Sequence, residues 1–168
     1  NPHVSPFDEF QRLKHHPVLA QHLKGGKRAS YGARAITKGG LNSLPKMTFP
    51  GGLIVGCEAG TLDFSKIKGT HTAMKSGMIA AEEIAKAISA DRANDEITEY
   101  TTAFENSWVY KDLHNSRNFG PAMHKLGMWV GAAFNYIHHN IVPIPLTLHD
   151  RIADHATLKP ASECKKLN

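Results

Sequence analysis

The glycines, hydroxyls and carboxylate best arranged to meet a ligand lie in one stretch. Phe49-Pro50-Gly51-Gly52-Leu53-Ile54-Val55-Gly56-Cys57-Glu58-Ala59-Gly60 is followed by Lys66-Ile67-Lys68-Gly69-Thr70-His71-Thr72-Ala73-Met74-Lys75-Ser76-Gly77. The apolar triplet Leu53-Ile54-Val55 delivers a glycine turn, and a helical pattern opens just past Gly69. Ligands of open α/β sheets bind beyond the carboxyl ends of the strands. A helix starting there presents unsatisfied N–H groups that stabilise negative charge. Gly69 removes a side chain that would block approach, and Thr70 and Thr72 can each offer a hydroxyl. A βα unit packed inside a core shows the same pattern, with its glycines serving only the turn. The residues alone leave both readings open.

Other chemistries find less support. The sequence has eleven histidines, but they form no H-E-x-x-H, have no cysteine at ligand spacing and no carboxylate cluster beside them. His15-His16 and His138-His139 are adjacent pairs, which point in different directions on regular elements. No metal site and no catalytic acid, base or nucleophile is therefore assigned. Only His71, at the expected helix start, has a plausible place near a ligand, and capping the helix explains it equally well. No G-x-G-x-x-G follows a strand, so a pyrophosphate cradle is absent. Cys57 and Cys164 form at most one bridge, as suits a reducing compartment.

The net charge of +5 would serve nucleic acid, an anionic membrane or an acidic partner. The basic residues are scattered, with no run longer than Lys165-Lys166, and no RNP or zinc-finger pattern occurs; nucleic acid is not expected as a partner. With 41% hydrophobic and 21% charged residues and no repeat or low-complexity tract, the chain has the composition of a folded domain. It starts at Asn1 with no signal peptide pattern and ends in a polar run, and it is expected to be an internal piece of something longer.

Ser5-Pro6-Phe7-Asp8 predicts a capped helix with Phe7, Phe10 and Leu13 at helical spacing, and Pro17 with Gly25-Gly26 predicts a short second helix between them. Alternation around Ala29, Tyr31, Ala33 and Ala35 predicts a strand over residues 27–36. Leu53 to Val55 is expected to be a central parallel strand covered on both faces. A helix is predicted from Gly69-Thr70 to about Ala90, with Met74, Met78, Ala81, Ile84 or Ala85, and Ile88 as its inward stripe. Residues 96–109 are predicted helical, placing Tyr100, Phe104 and Trp108 in a core, and 117–121 as a loop. Leu126 to Ile137 carries no formal charge and is too short to span a bilayer, which needs roughly 20 apolar residues. It is long enough to dip into an interface, with Trp129 and Tyr136 as anchors and His124, Lys125, His138 and His139 at the rim. A buried core segment is the competing reading, and Gly127 and Gly131 permit a helix or a hairpin.

Tyr31-Gly32-Ala33-Arg34-Ala35, Phe49 to Leu53 and above all Lys66 to Gly77 resemble the corresponding motifs of the electron transfer flavoprotein-ubiquinone oxidoreductases. Ser5-Pro6-Phe7-Asp8-Glu9-Phe10-Gln11-Arg12 and Leu158-Lys159-Pro160-Ala161 are similar to that family too, so the resemblance spans nearly the whole chain. It implies an α/β (α+β) fold: the C-terminal half of a glutathione-reductase-like FAD-binding domain plus part of a quinone- and membrane-facing domain. Residues 1–26 would be a helical segment on the quinone side, 27–92 the FAD-domain half, and 93–168 helical and membrane-facing.

The resemblance further implies electron transfer from electron transfer flavoprotein, through FAD and a 4Fe-4S cluster, to ubiquinone in the bilayer. It puts Gly56, Glu58, Gly60, Gly69, Thr70 and Thr72 against the FAD. Met128, Trp129, Val130, Phe134, Tyr136 and Ile137 would contact the membrane. Localisation would be peripheral, at the matrix face of the mitochondrial inner membrane or at a bacterial cytoplasmic membrane. One departure stands out: Cys57 occupies the place after the strand-ending glycine where this broader class commonly has Asp, and Glu58 comes one later. The FAD fingerprint and the cluster ligands would lie before Asn1 and after Asn168, so this chain alone is expected to bind neither group tightly nor turn over. A non-catalytic membrane-docking or scaffold module that keeps the fold without the cofactor is the alternative.

Overall fold

The structure is a computed structural model that describes residues 4–150 and 152–163. Cys164, and with it any bridge to Cys57, lies outside the described residues. Contacts divide the chain into two units, Ala35–Asp150 and a smaller one made of Asn1–Arg34 with Arg151–Asn168.

The smaller unit carries the two expected N-terminal helices. α1, Pro6–Lys14, begins as its capping grammar requires: the Ser5 hydroxyl accepts from the Asp8 N–H at 3.3 Å, with Asp8 and Glu9 in the first turn and Arg12 and Lys14 in the last. α2, Pro17–Leu23, is opened by the His16 ring accepting from the Val18 N–H at 3.3 Å. Neither helix buries a residue, and Phe7, Phe10 and Leu13 are all exposed. The strand expected over residues 27–36 does not form; the segment has neither helix nor strand and is exposed throughout. Its alternation has the right period, but a strand also needs a neighbour for its N–H and C=O groups, and the described residues offer it none.

The larger unit is built mainly of helices. β1, Thr48–Phe49, turns at Pro50-Gly51 and pairs antiparallel with β2, Gly52–Leu53, in the register Thr48 to Leu53 and Phe49 to Gly52. Leu53 to Val55 is thus the return arm of a hairpin and not a central parallel strand. Gly51, at φ 78°, supplies the left-handed turn residue, so the Pro-Gly pair joins two strands. The result is a mixed, mostly helical unit with a small sheet, compatible with a piece of an α/β fold.

α3, Gly56–Ala59, follows and stops at Gly60 in the left-handed conformation, φ 91°. α4, Thr70–Ser89, matches the expected span, but the inward face differs. Its buried residues are Thr72, Ser76, Ile79, Ala80, Glu83 and Ala87. The expected stripe is displaced from this one by two residues, about 200° around the helix. Met74 is 65% exposed and Ile88 72%. Small and hydroxyl side chains face inward because α3 approaches closely enough for the Gly56 N–H to donate to Ser76 Oγ at 3.0 Å.

The predicted helix over 96–109 is two helices, α5, Glu99–Glu105, and α6, Trp108–Ser116, separated where Ser107 is extended and its hydroxyl donates to the Phe104 carbonyl at 2.6 Å. Tyr100 and Phe104 are fully buried with Met47, Ala59, Ile79, Val109 and Leu113, forming the core. Trp108 is excluded from it, 43% exposed and stacked on His71.

The expected loop at 117–121 instead opens the last helical element, α7, Phe119–Asn140. Gly127 interrupts α7 with φ 72° and ψ −179°, a conformation reserved to glycine. A straight helix would hold residues nine apart at about 13 Å, yet a Cβ on Gly131 would lie 2.7 Å from the Ala122 carbonyl oxygen. Asn135 Nδ2 donates to the Phe119 carbonyl at 3.2 Å across sixteen positions. α7 therefore folds back on itself as two short helical arms with residues 126–130 at the corner, combining the helix and hairpin alternatives.

Candidate functional site

The glycine turn and the entrance to α4 are assembled as one packed structure. Gly56, at φ 68°, lies against Ala73, and the Thr61 N–H returns to the Gly56 carbonyl at 3.3 Å. Gly69 is pressed against α3: a Cβ there would stand 2.6 Å from Cys57 Sγ and 2.9 Å from Leu62 Cδ1. The Thr72 hydroxyl is buried and donates to the Gly69 carbonyl at 2.9 Å. Of the six expected cofactor residues, Gly56, Gly60 and Thr72 are buried, Gly69 is half-buried, and Glu58 and Thr70 face solvent. The cavity of about 350 Å³ in this unit is lined by other residues. The glycines thus serve close packing of the turn, whereas the open chemistry sits at the helix entrance. α4 has no side-chain cap and no acidic residue in its first turn, and Thr70 is exposed there. Such an entrance fits an acceptor atom or a partial negative charge.

Sequence reasoning missed the network that holds this entrance. Asp63 is buried and accepts at Oδ1 from both the Ser65 N–H, at 3.1 Å, and the Ser65 hydroxyl, at 2.6 Å. Lys66 Nζ lies 3.0 Å from Asp63 Oδ2 and 3.2 Å from Asp112 Oδ2 on α6. Burial pushes the Asp63 carboxyl up, but the bonds from Ser65 and Lys66 and the Lys66 charge outweigh it and hold it below the usual carboxylate range. Lys66 is raised, first by its bond to Asp63. The loop is closed by the paired backbones of Asp63 and Lys68. An Asp two residues before Ser is an Asx-turn signal that the sequence did carry.

The six expected membrane residues gather on α7. Met128, Trp129 and Val130 are exposed at the corner, Trp129 at 82%; Tyr136 and Ile137 are exposed on the second arm, while Phe134 is half-buried and stacks on His138. His124 and Lys125 precede the corner, paired with Asp150 and the His149 carbonyl. A cavity of about 350 Å³ lies between α6 and the α7 arms, lined by Ser116, Phe119, Met123, Ala132, Asn135 and His138 among others. Among the described residues no three His, Cys, Asp or Glu side chains converge as metal ligands, and no helix is long and apolar enough to cross a membrane.

Residues 1–36 match the family described as ETF-QO, ubiquinone-binding. The chain is 62% identical to the electron transfer flavoprotein-ubiquinone oxidoreductase of Pseudomonas aeruginosa, over 100% of this chain and 31% of that protein. It is 53% identical to the probable enzyme of that name in Acinetobacter baylyi, over 95% and 31%. With the mitochondrial protein of Rattus norvegicus it shares 48% identity, over 98% and 28%. The chain spans about a third of the length of these relatives. The resemblance drawn from the motifs is borne out along the whole chain.

Proposed function

We propose that this chain, a segment of the electron transfer flavoprotein-ubiquinone oxidoreductase family, is part of an oxidoreductase passing electrons from reduced electron transfer flavoprotein through FAD and a 4Fe-4S cluster to ubiquinone. The observation that carries the reading is the end-to-end match at 62% identity to a protein of that name, with residues 1–36 matching its ubiquinone-binding family.

Within that reading, FAD supplies the electron-carrying ring. The α4 entrance at Gly69, Thr70 and Thr72 would hold the edge of that ring on which negative charge gathers in the reduced state, through its uncapped N–H groups and the Thr70 hydroxyl. Gly56 and Gly60 keep the turn thin enough for α4 to sit against it, and Glu58 stands at its exposed side. The cluster is another matter: two cysteines do not supply the four thiolates of a 4Fe-4S centre, so the residues of this chain do not hold it. The α7 corner would rest monotopically in a membrane surface through Met128, Trp129 and Val130, with Phe134, Tyr136 and Ile137 behind them and His124 and Lys125 at headgroup level. The position in this reading is peripheral, at a bacterial cytoplasmic membrane or the mitochondrial inner membrane; the bacterial and mitochondrial relatives support those two origins.

Thr70→Glu in the full-length protein tests the flavin side. A carboxylate in the first turn favours the helix, so folding is retained; placed beside the reduced ring it is expected to weaken FAD binding or lower the flavin potential. Unchanged FAD affinity and potential would remove the α4 entrance from the flavin site. A full-length protein purified without flavin absorbance would favour the scaffold alternative.

A further inference from the structure

Residues 142–150 have neither helix nor strand, yet their backbone is gripped by side chains. Asn118, fully buried, uses both ends of its amide: Nδ2 donates to the Leu146 carbonyl at 2.7 Å and Oδ1 accepts from the Leu148 N–H at 2.8 Å. Arg117 donates to Thr147 Oγ1 at 3.0 Å and to the Ile144 carbonyl at 3.1 Å. These contacts make the segment a strap laid along the end of α6 and the start of α7.

One attachment differs in kind. Pro143 and Pro145 have no N–H, so Ile144 carries the single backbone donor of that stretch. That donor goes to Nδ1 of His138, at 2.9 Å. The backbone of Asn115 on α6 also acts on the buried ring, in the direction that raises its pKa. Nδ1 must be an acceptor, so the Ile144 bond selects the neutral imidazole with its proton on Nε2.

We propose that His138 is a proton-sensitive latch: while neutral it ties the strap to α6 and the second arm of α7, and protonation at Nδ1 releases the strap around Ile144. A protonated Nδ1 has no lone pair and sets one N–H against another, and the prolines on either side leave no alternative donor to rebuild the contact. The charged and titratable groups acting on the ring include Arg117, which caps α6, His114 on α6 and His139 on its own helix, and Lys66 lines the same cavity; all are bases. Burial, followed by the Arg117 charge, accordingly holds the ring below the ordinary histidine value of 6.5. For a base lowered in the folded state, the closed strap is fully stable above the ordinary value. The stability is lost as pH falls from there towards the folded value, and the loss levels off below it.

Hydrogen exchange of the full-length protein, corrected for intrinsic rates, tests the latch between about pH 7.5 and about pH 5. Protection of the Ile144 amide is expected to fall by up to about tenfold per pH unit below 6.5, then level off. His138→Gln keeps an acceptor and a donor but does not titrate, and is expected to abolish the fall, although His114, His124 and His139 remain. Flat protection in the wild type, or the same fall in His138→Gln, would overturn the proposal. If that variant does not fold, NMR titration of the wild type decides: coincident midpoints for the His138 ring and the Ile144 amide support the latch, and separate midpoints overturn it.

Discussion

Gly69 has no room for a side chain. Its neighbours are Cys57 and Leu62, both fixed in the packed turn, so Gly69→Ala should destabilise the chain by about 1–3 kcal/mol, read as a shifted urea midpoint at constant slope. Tyr100 gives the opposite expectation. Its ring is fully buried, its hydroxyl has no partner, and burial pushes its pKa up to about 12. Tyr100→Phe removes an unsatisfied polar group and should leave stability unchanged or raise it by up to about 1 kcal/mol. Asp63 sets an acid limit: its carboxyl is lowered in the folded state, so its stabilisation is present above the ordinary carboxylate value and lost as pH falls through the folded value. Lys66→Met leaves that carboxylate less satisfied, and the acid limb of a stability-against-pH curve should move upward in pH. Gly69 was legible in the sequence as a residue that had to be small. That it makes way for Cys57 depends on α3, where the sequence was read as a glycine turn.

Among the elements, α1, α2 and α4 were legible, whereas α3, the break between α5 and α6, the start of α7 and the sheet were not. α1 announced itself by Ser5 and Pro6, and α4 by its length and periodicity; both depend on local spacing. The orientation of α4 was misread because hydrophobicity was taken as the mark of the inward face. Close approach to α3 instead selected Thr72, Ser76 and Ala80. The strand expectations failed because pairing is non-local: residues 27–36 pair with no strand among the described residues, and Leu53 found Thr48 across a Pro-Gly turn. Gly127 was seen to permit a bend, and the structure uses it for one. Gly127→Ala, open sterically but strained in its backbone, should cost roughly 1–3 kcal/mol and loosen the corner, seen as faster exchange of amides 128–131.

At the scale of the whole molecule, α7 carries a run of exposed apolar residues at its corner, Met128, Trp129 and Val130. Met128→Glu puts a charge at the exposed corner, where it touches no core residue, so folding should be unaffected while binding of the full-length protein to vesicles falls at least about tenfold. Equal vesicle binding by the variant would remove the corner from the membrane. The most direct measurement of the proposed role mixes the full-length protein anaerobically with reduced electron transfer flavoprotein and a soluble ubiquinone analogue, and follows both the flavin absorbance and quinol formation. Quinone-dependent reoxidation of the electron transfer flavoprotein, with quinol appearing as flavin reduction is relieved, is the expected result. A flavin-free protein, or one that leaves the reduced partner unoxidised in the presence of quinone, would contradict it.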